Sequence, residues 1–282
     1  MEISISDKSS QFINRDSKKT PVLFRKLRSL RRILDFHQRQ MLTNFRNRRS
    51  RATLPFELNF AGVDLRSDVR FDITSIQEKY KLNVKSLCHV GAHRGQEVDA
   101  YIQLGIDQAI FIEPIPELFK VLTNEIKITP NYKALNFAAG EDNRVVTMNL
   151  ASNEYQSSSL LEPNLHLREA PNVNFNSSIS VQMRKLDTLL EDVTIPELLI
   201  IDVQGYELNV LKGGQQALNK VKFIFIEVNR ESTYHDCAKV EEVDDYLGKF
   251  DYVRVLTRWW SIWGDAFYVK KELLPIKSSP SE

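Results

Sequence analysis

Cysteine is almost missing from this chain. Cys88 and Cys237 are the only two in 282 residues. That excludes a disulfide framework and favours a reducing compartment, the cytoplasm. An excess of one charge is missing too: 38 Lys and Arg stand against 37 Asp and Glu, so the chain as a whole favours neither an acidic nor a basic partner. No apolar run approaches the roughly 20 residues that a membrane span needs. The first residues lack the apolar stretch of a secretory signal. The five His and two Cys show no ligand spacing, which argues against zinc. No internal repeat is visible.

What is present is enough apolar material, 42% of residues, for one sizeable α/β domain. The charge is unevenly placed. Residues 1–51 hold 14 Lys and Arg against four Asp and Glu, a net of +10, which leaves −9 for the remainder of a chain whose total is +1. Residues 1–19 are polar and without periodicity, and are expected to be a disordered tail. Thr20-Pro21 then reads as a helix start, a hydroxyl cap with proline at the first helical position. Leu23, Leu27, Leu30, Leu34, Met41 and Phe45 recur at helical spacing, with Arg25, Arg28, Arg32, Arg39 and Arg46 largely elsewhere on the wheel. A basic amphipathic helix of this kind, over 20–49, suits the surface of an anionic membrane. It equally suits packing on the protein itself or on a second subunit, as in a homo-oligomer. Residues 50–69 read as a linker.

The catalytic domain is expected over 70–272, beginning with a helix near 73–80 and followed by a short tail. From there strand and helix patterns alternate. Strands are expected at Ser86–Val90, 109–113, 132–138, Arg144–Leu150 (a side hairpin), 198–202, 222–228, 251–256 and 266–270. Helices are expected at 96–104, Pro116–Ile126 and 240–249. The apolar runs among them are short and rich in β-branched residues, as buried strands are. The alternation implies a mostly parallel sheet with helices on both faces. Two closing strands without a helix between them imply a terminal antiparallel edge hairpin.

Two segments carry chemistry. In the first, β-like Leu87-Cys88-His89-Val90 runs into Gly91-Ala92-His93-Arg94-Gly95 and then a helix. Glycine at 91 permits a sharp turn and close approach, and Gly95 permits close packing at the helix start. In open α/β sheets nucleotides bind beyond the carboxyl end of the first strand. The spacing departs from the G-x-G-x-x-G fingerprint of dinucleotide sites, since position 93 is His. A phosphate-free ligand such as S-adenosylmethionine does not need the missing glycine. The second segment is Phe111-Ile112-Glu113-Pro114. It puts a carboxylate 22 residues past Gly91, at the place where an acid accepts hydrogen bonds from ribose hydroxyls.

These two runs, with Ile201-Asp202-Val203-Gln204-Gly205-Tyr206-Glu207 and Val210-Leu211-Lys212-Gly213-Gly214 after it, resemble the FkbM-type methyltransferases over roughly residues 85–270. The resemblance implies a Rossmann-like methyltransferase fold and S-adenosylmethionine as cofactor. It also implies methylation of hydroxyls on sugars, polyketides and related metabolites. Carried over by position, Gly91, Ala92 and Gly95 would shape the cofactor loop and Glu113 would hold the ribose. The turn containing Ala139 would lie by the adenine. His89 stands where the family often has an acid that meets the cofactor's amino group. Gln204 stands where it usually has Glu.

On the acceptor side, Asp202 and Glu227 each end an apolar strand and would lie close together if those strands are neighbours. An alcohol must lose a proton as it is methylated, and a carboxylate can take it. Asp202 and Glu227 are therefore the expected catalytic acids, with His235 as a third candidate in a loop that could form a lid. Glu207 reads either as part of this site or as a favourable charge in a helix first turn. Asp202, Glu227 and Asn229 are also hard oxygen ligands, but nothing fixes a geometry and no metal is expected. Residues 152–159 form either a rim over the acceptor or an ordinary insertion. Trp259, Trp260 and Trp263 either stack on sugar or pack the edge hairpin.

The reading is therefore an O-methyltransferase acting on a hydroxyl-bearing small molecule, glycan or glycolipid. The alternatives are a nucleotide-sugar or NAD-binding Rossmann enzyme and a cofactor-binding module without turnover. Nucleic acid is disfavoured by the net acidity of residues 52–282.

Overall fold

The computed structural model describes Ile76 and residues 82–274. The tail, the basic helix, the linker and most of the helix expected near 73–80 lie outside the described residues. Ile76 itself is helical and wholly buried.

Ten strands and seven short helices follow. In chain order they are β1 (Ser86–Val90), α1 (Val98–Gln103), β2 (Gln108–Ile112), α2 (Pro116–Ile126), β3 (Tyr132–Leu135), β4 (Ala138–Gly140), β5 (Arg144–Leu150), α3 (His166–Glu169), β6 (Ser177–Lys185), α4 (Leu186–Leu189), β7 (Leu198–Ile201), α5 (Glu207–Lys212), α6 (Gln215–Leu218), β8 (Phe223–Asn229), α7 (Val240–Gly248), β9 (Tyr252–Trp259) and β10 (Trp263–Lys270).

Seven strands form one sheet in the order β3-β2-β1-β7-β8-β10-β9. The pairs from β3 to β8 are parallel, and β10 is antiparallel to both its neighbours. Strands covered on both faces need apolar residues at every position, not at alternate ones. That is why β7 reads Leu-Leu-Ile-Ile with all four residues buried. One core lies on the face covered by α5, α6 and α7, and includes Val90, Ile112, Ile201, Ile226 and Leu247. A second lies on the opposite face with α1 and α2, and includes Leu87, Tyr101, Phe111, Leu122 and Ile200. Each fully buried Leu or Ile stabilises the fold by about 1.5–3 kcal/mol.

Helix α2 occupies the expected residues. Pro116 opens it, and Leu118, Leu122 and Ile126 recur every fourth residue as its buried stripe.

The differences from the sequence expectation are specific. The third strand stops at Leu135. Residues 138–140 instead begin a separate three-stranded sheet, β4-β6-β5. The expected side hairpin at Arg144–Leu150 takes β6 as its antiparallel partner, a strand the sequence reading passed over. Alternate Ile179, Val181 and Met183 along β6 pack into a small third core with Ile115, Leu118 and Tyr206. The closing hairpin forms, but its second strand β10 is inserted beside β8, so β9 is the edge. Among the described residues no helix is long and apolar enough to cross a membrane.

Strand order reverses between β1 and β7. Such a switch point leaves a crevice beyond the carboxyl ends of the two strands, because the chain leaves them toward opposite faces. Gly91 follows β1 and Asp202 follows β7.

Candidate active site

One wall of the crevice is the loop after β1. The main-chain N–H groups of Gly91 and Ala92 both donate to the Ile112 carbonyl, at 2.9 and 3.1 Å. Gly91 has φ +82°, and a Cβ there would stand 1.8 Å from the Asp202 carbonyl oxygen. The glycine is thus required by the approach of the next strand, in addition to the turn itself. Gly95, at φ +72°, would press a Cβ to 2.8 Å from Leu122, which confirms close packing at the helix start. Ala92 is completely buried in the core against α1 and α2.

Glu113 lies at the end of β2 with 4% of its surface exposed. One of its oxygens accepts the His93 N–H at 2.8 Å and the other the Ile115 N–H at 2.8 Å. Burial pushes its carboxyl up to about 7, against the pull of those two bonds. Each oxygen keeps a second lone pair for a ligand.

His89, the residue expected at the cofactor's amino group, is buried. Its ring is buried between Tyr101 and Phe111, and its Nδ1 shares a 3.1 Å hydrogen bond with the Tyr101 hydroxyl. Burial lowers its pKa to about 4, so it is neutral. Ala139 is not in a turn. It lies within β4, paired with β6, with its side chain in the core.

The other wall is acidic. The pair Ile201–Ile226 sets the register of β7 on β8, which places Asp202 beside Glu227. Glu227 pairs with Asp265 in β10, and Asp265 with Arg258 in β9. The result is a row across four strands, at roughly 4.8 Å per step. The antiparallel register alone recruits Asp265, so the sequence reading missed it. Burial is the largest effect on each acid of the row. It pushes Asp265 up to about 7 and Asp202 and Glu227 upward, with mutual repulsion adding to the shift on Glu227. Asp202 is open to solvent on its outer side although protein atoms crowd its carboxyl.

Gln204 joins the pair. Its amide nitrogen donates to Asp202 at 2.7 Å and to Glu227 at 3.0 Å. Its amide oxygen accepts the Tyr234 hydroxyl at 3.1 Å. Glu207 instead serves the turn. One of its oxygens accepts the N–H groups of Val203 and Gly205, at 3.1 and 3.0 Å. It too is pushed up to about 7 by burial.

His235 sits on the loop after β8, exposed, and among the described residues only its main chain is anchored, by an N–H bond to the Glu162 carbonyl at 2.8 Å. Its neighbour Tyr234 is the residue that turns inward, and it is wholly buried. Asn229 is buried, and its side-chain oxygen has no hydrogen-bond partner among the described residues. Among the described residues no group of three or more His, Cys, Asp or Glu is arranged to hold a metal ion.

Residues 152–159 join the two walls. Glu154 accepts from Arg94 at 2.7 Å through its carboxylate, and its carbonyl meets the His93 ring at 2.8 Å. The Ser159 hydroxyl donates to the Gln204 carbonyl at 2.7 Å, and the Ser157 carbonyl accepts from Tyr234 at 2.9 Å. His93, Glu154, Tyr155 and Gln204 all carry positive φ although none is glycine. Such costly conformations gather where the surroundings over-determine them, often at functional sites.

Comparison with known proteins adds a family. A model described as the methyltransferase FkbM domain matches residues 89–254. The 2-O-methyltransferase NoeI of Sinorhizobium fredii is 33% identical over 104 residues, which is 36% of this chain and 43% of that protein. A crystal structure of a methyltransferase FkbM from Methylobacillus flagellatus KT covers 66% of this chain at 18% identity and a TM-score of 0.46, and 44% of its own length is matched. The magnesium protoporphyrin IX methyltransferase ChlM of Synechocystis PCC 6803, crystallised with bound SAM, covers 71% of this chain and 76% of its own at 7% identity, with a TM-score of 0.43. The chain therefore spans less than half the length of NoeI and of the Methylobacillus protein.

Proposed function

The chain belongs to the FkbM methyltransferase family, and from that premise we propose that it transfers a methyl group from S-adenosylmethionine to a hydroxyl of a sugar, glycolipid or related metabolite. The acid-lined crevice at the strand-order reversal carries this reading. Asp202, Glu227 and Asp265 lie in one row, and Glu97 and Glu207 add to the negative field around Asp202. Such a field repels a pyrophosphate and attracts a cation. A dinucleotide is disfavoured for that reason and by the absence of its second and third glycines, where His93 and Gln96 stand.

The residues present fit S-adenosylmethionine. Glu113 keeps a free lone pair on each oxygen for the ribose, and the Gly91–Gly95 loop borders the crevice. When bound, the cofactor supplies an electrophilic methyl on a positively charged sulfur. Asp202, at the mouth, accepts the acceptor's hydroxyl proton, while Glu227, deeper, is pushed upward by burial and by the charge of Asp202 beside it. Residues 152–159 restrict water between the two walls. A sugar suits the half-exposed Trp259, Trp260 and Trp263 beside the row, and the 2-O-methyltransferase relative supports a hydroxyl acceptor. His235 would act only from a closed form of its loop. The basic segment 20–49 would hold a cytoplasmic enzyme at an anionic membrane, or join two copies of it. Vesicle flotation with and without the segment tests the first.

Calorimetry with S-adenosylmethionine and with NAD, followed by transfer of labelled methyl to a sugar and glycolipid extract, tests the whole reading. Heat from the first ligand alone and a labelled O-methyl product are expected. Binding of NAD in preference, or no labelled product from an extract of the native cell, would overturn it.

A further inference from the structure

We propose that Gln204 is the positioning residue of this site: its amide bridges Asp202 and Glu227, and Tyr234 fixes the amide's orientation, so that Asp202 is the acid kept ionised toward the acceptor. The inference rests on the reading of Asp202 as the proton acceptor.

The main chain at Gln204 adopts φ +56°, which a side-chain-bearing residue enters only at a cost. Three neighbours hold it there. The Ser159 hydroxyl binds its carbonyl, the following N–H of Gly205 is taken by Glu207, and Gly205, at φ +99°, lets the Tyr234 ring close to within 3.0 Å of where a Cβ would stand. The bend carries the Gln204 side chain inward, over both acids.

The amide has two hydrogens and spends one on each acid, the shorter bond going to Asp202. Its oxygen faces the Tyr234 hydroxyl, which also reaches the Ser157 carbonyl. A flipped amide would set its oxygen against two carboxylate oxygens, so only one orientation satisfies the groups.

The surroundings explain why a neutral double donor matters. Asp202 faces His93 and Glu97 from the loop after β1, Glu207 from the start of α5, Glu227 from β8 and, one strand further, Asp265 from β10. Arg94 is tied to Glu154, and Arg258 lies opposite Asp265. No cation is bonded to Asp202 among the described residues. Burial therefore drives a proton onto Asp202, and the Gln204 hydrogen is the bonded donor that resists it.

The test combines carbon-13 titration of the carboxyl groups with the pH profile of methyl transfer, for the full chain and for Gln204→Glu, Gln204→Asn and Tyr234→Phe. In Gln204→Glu the Asp202 titration and the acid limb of kcat should both move up by about one pH unit or more. Acceptor KM should change by less than about threefold. Gln204→Asn tolerates the positive φ but is too short to span both acids, so it should move the same way, and Tyr234→Phe by less. If Gln204→Glu does not fold, Gln204→Asn and Tyr234→Phe decide. An unmoved Asp202 titration in the folded Gln204 variants overturns the proposal. So does a loss of kcat that is uniform with pH. The titration needs no turnover, so absent methyl transfer would count against the proposed function and leave the role of Gln204 to be judged by the carboxyl signals.

Discussion

A Cβ on Gly91 would stand 1.8 Å from the main-chain oxygen of Asp202. The proposed cofactor loop and the strand end that carries the proposed base are therefore in contact through a hydrogen atom's width of space. Gly91→Ala must either push β7 aside or move the loop, and it also meets the strain of φ +82°. A loss of about 3 kcal/mol or more in unfolding free energy is expected, read by urea denaturation. A variant as stable as the parent would show that the two segments give way easily.

Asp202→Asn keeps an oxygen for the Gln204 amide but cannot take a proton. A fall in kcat of about 10²–10⁴ is expected, with S-adenosylmethionine affinity preserved. The same change removes a repelled charge, so the melting temperature should rise. Lost activity with gained stability is the signature of a site that costs the fold something. Lost activity with lost stability would make Asp202 a structural residue.

The raised carboxyls also set a pH dependence. Glu113, Glu207 and Asp265 are each pushed up to about 7, chiefly by burial. Each binds its proton more tightly folded than unfolded. The stability this gives is fully present below the unfolded values, near 4, and is lost as pH rises toward 7. The melting temperature should therefore be higher at pH 5 than at pH 8. Asp265→Asn should lessen that fall by about 2–4 °C, the equivalent of about 1 kcal/mol in a domain of this size. A fall of the same size in the variant would remove Asp265 from the account.

Two histidines separate burial from function. His89→Phe should leave S-adenosylmethionine affinity within about threefold of the parent, while the Tyr101 hydroxyl loses its partner at a cost of about 1 kcal/mol. His235→Ala should leave kcat within about threefold, because its ring is exposed and unbonded among the described residues. A large loss of cofactor affinity in the first variant, or of kcat in the second, would restore that residue to the site.

Much of this protein is written locally. The apolar runs of β1, β2, β7 and β8 are legible because strands buried on both faces need no polar alternation. Helix α2 is legible from its opening proline and four-residue stripe. Gly91, Glu113 and Asp202 are legible because each directly follows a strand, and Glu227 because it lies near the end of one, and strand ends border the crevice in a parallel sheet. What depends on two distant segments meeting was not legible. The strand β6 is half polar and gains its identity by pairing with β4 and β5. The Tyr101 and Phe111 neighbours of His89 are set only when α1 and β2 pack against β1. Asp265 joins the acids only through the antiparallel register of β10 on β8, and Gln204 bridges them only because its main chain bends to positive φ. Sequence alone determined the periodicity and the strand-end residues, because those follow from covalent neighbours. Tertiary structure decided register, burial and hydrogen-bond partners, because these depend on which strands lie side by side.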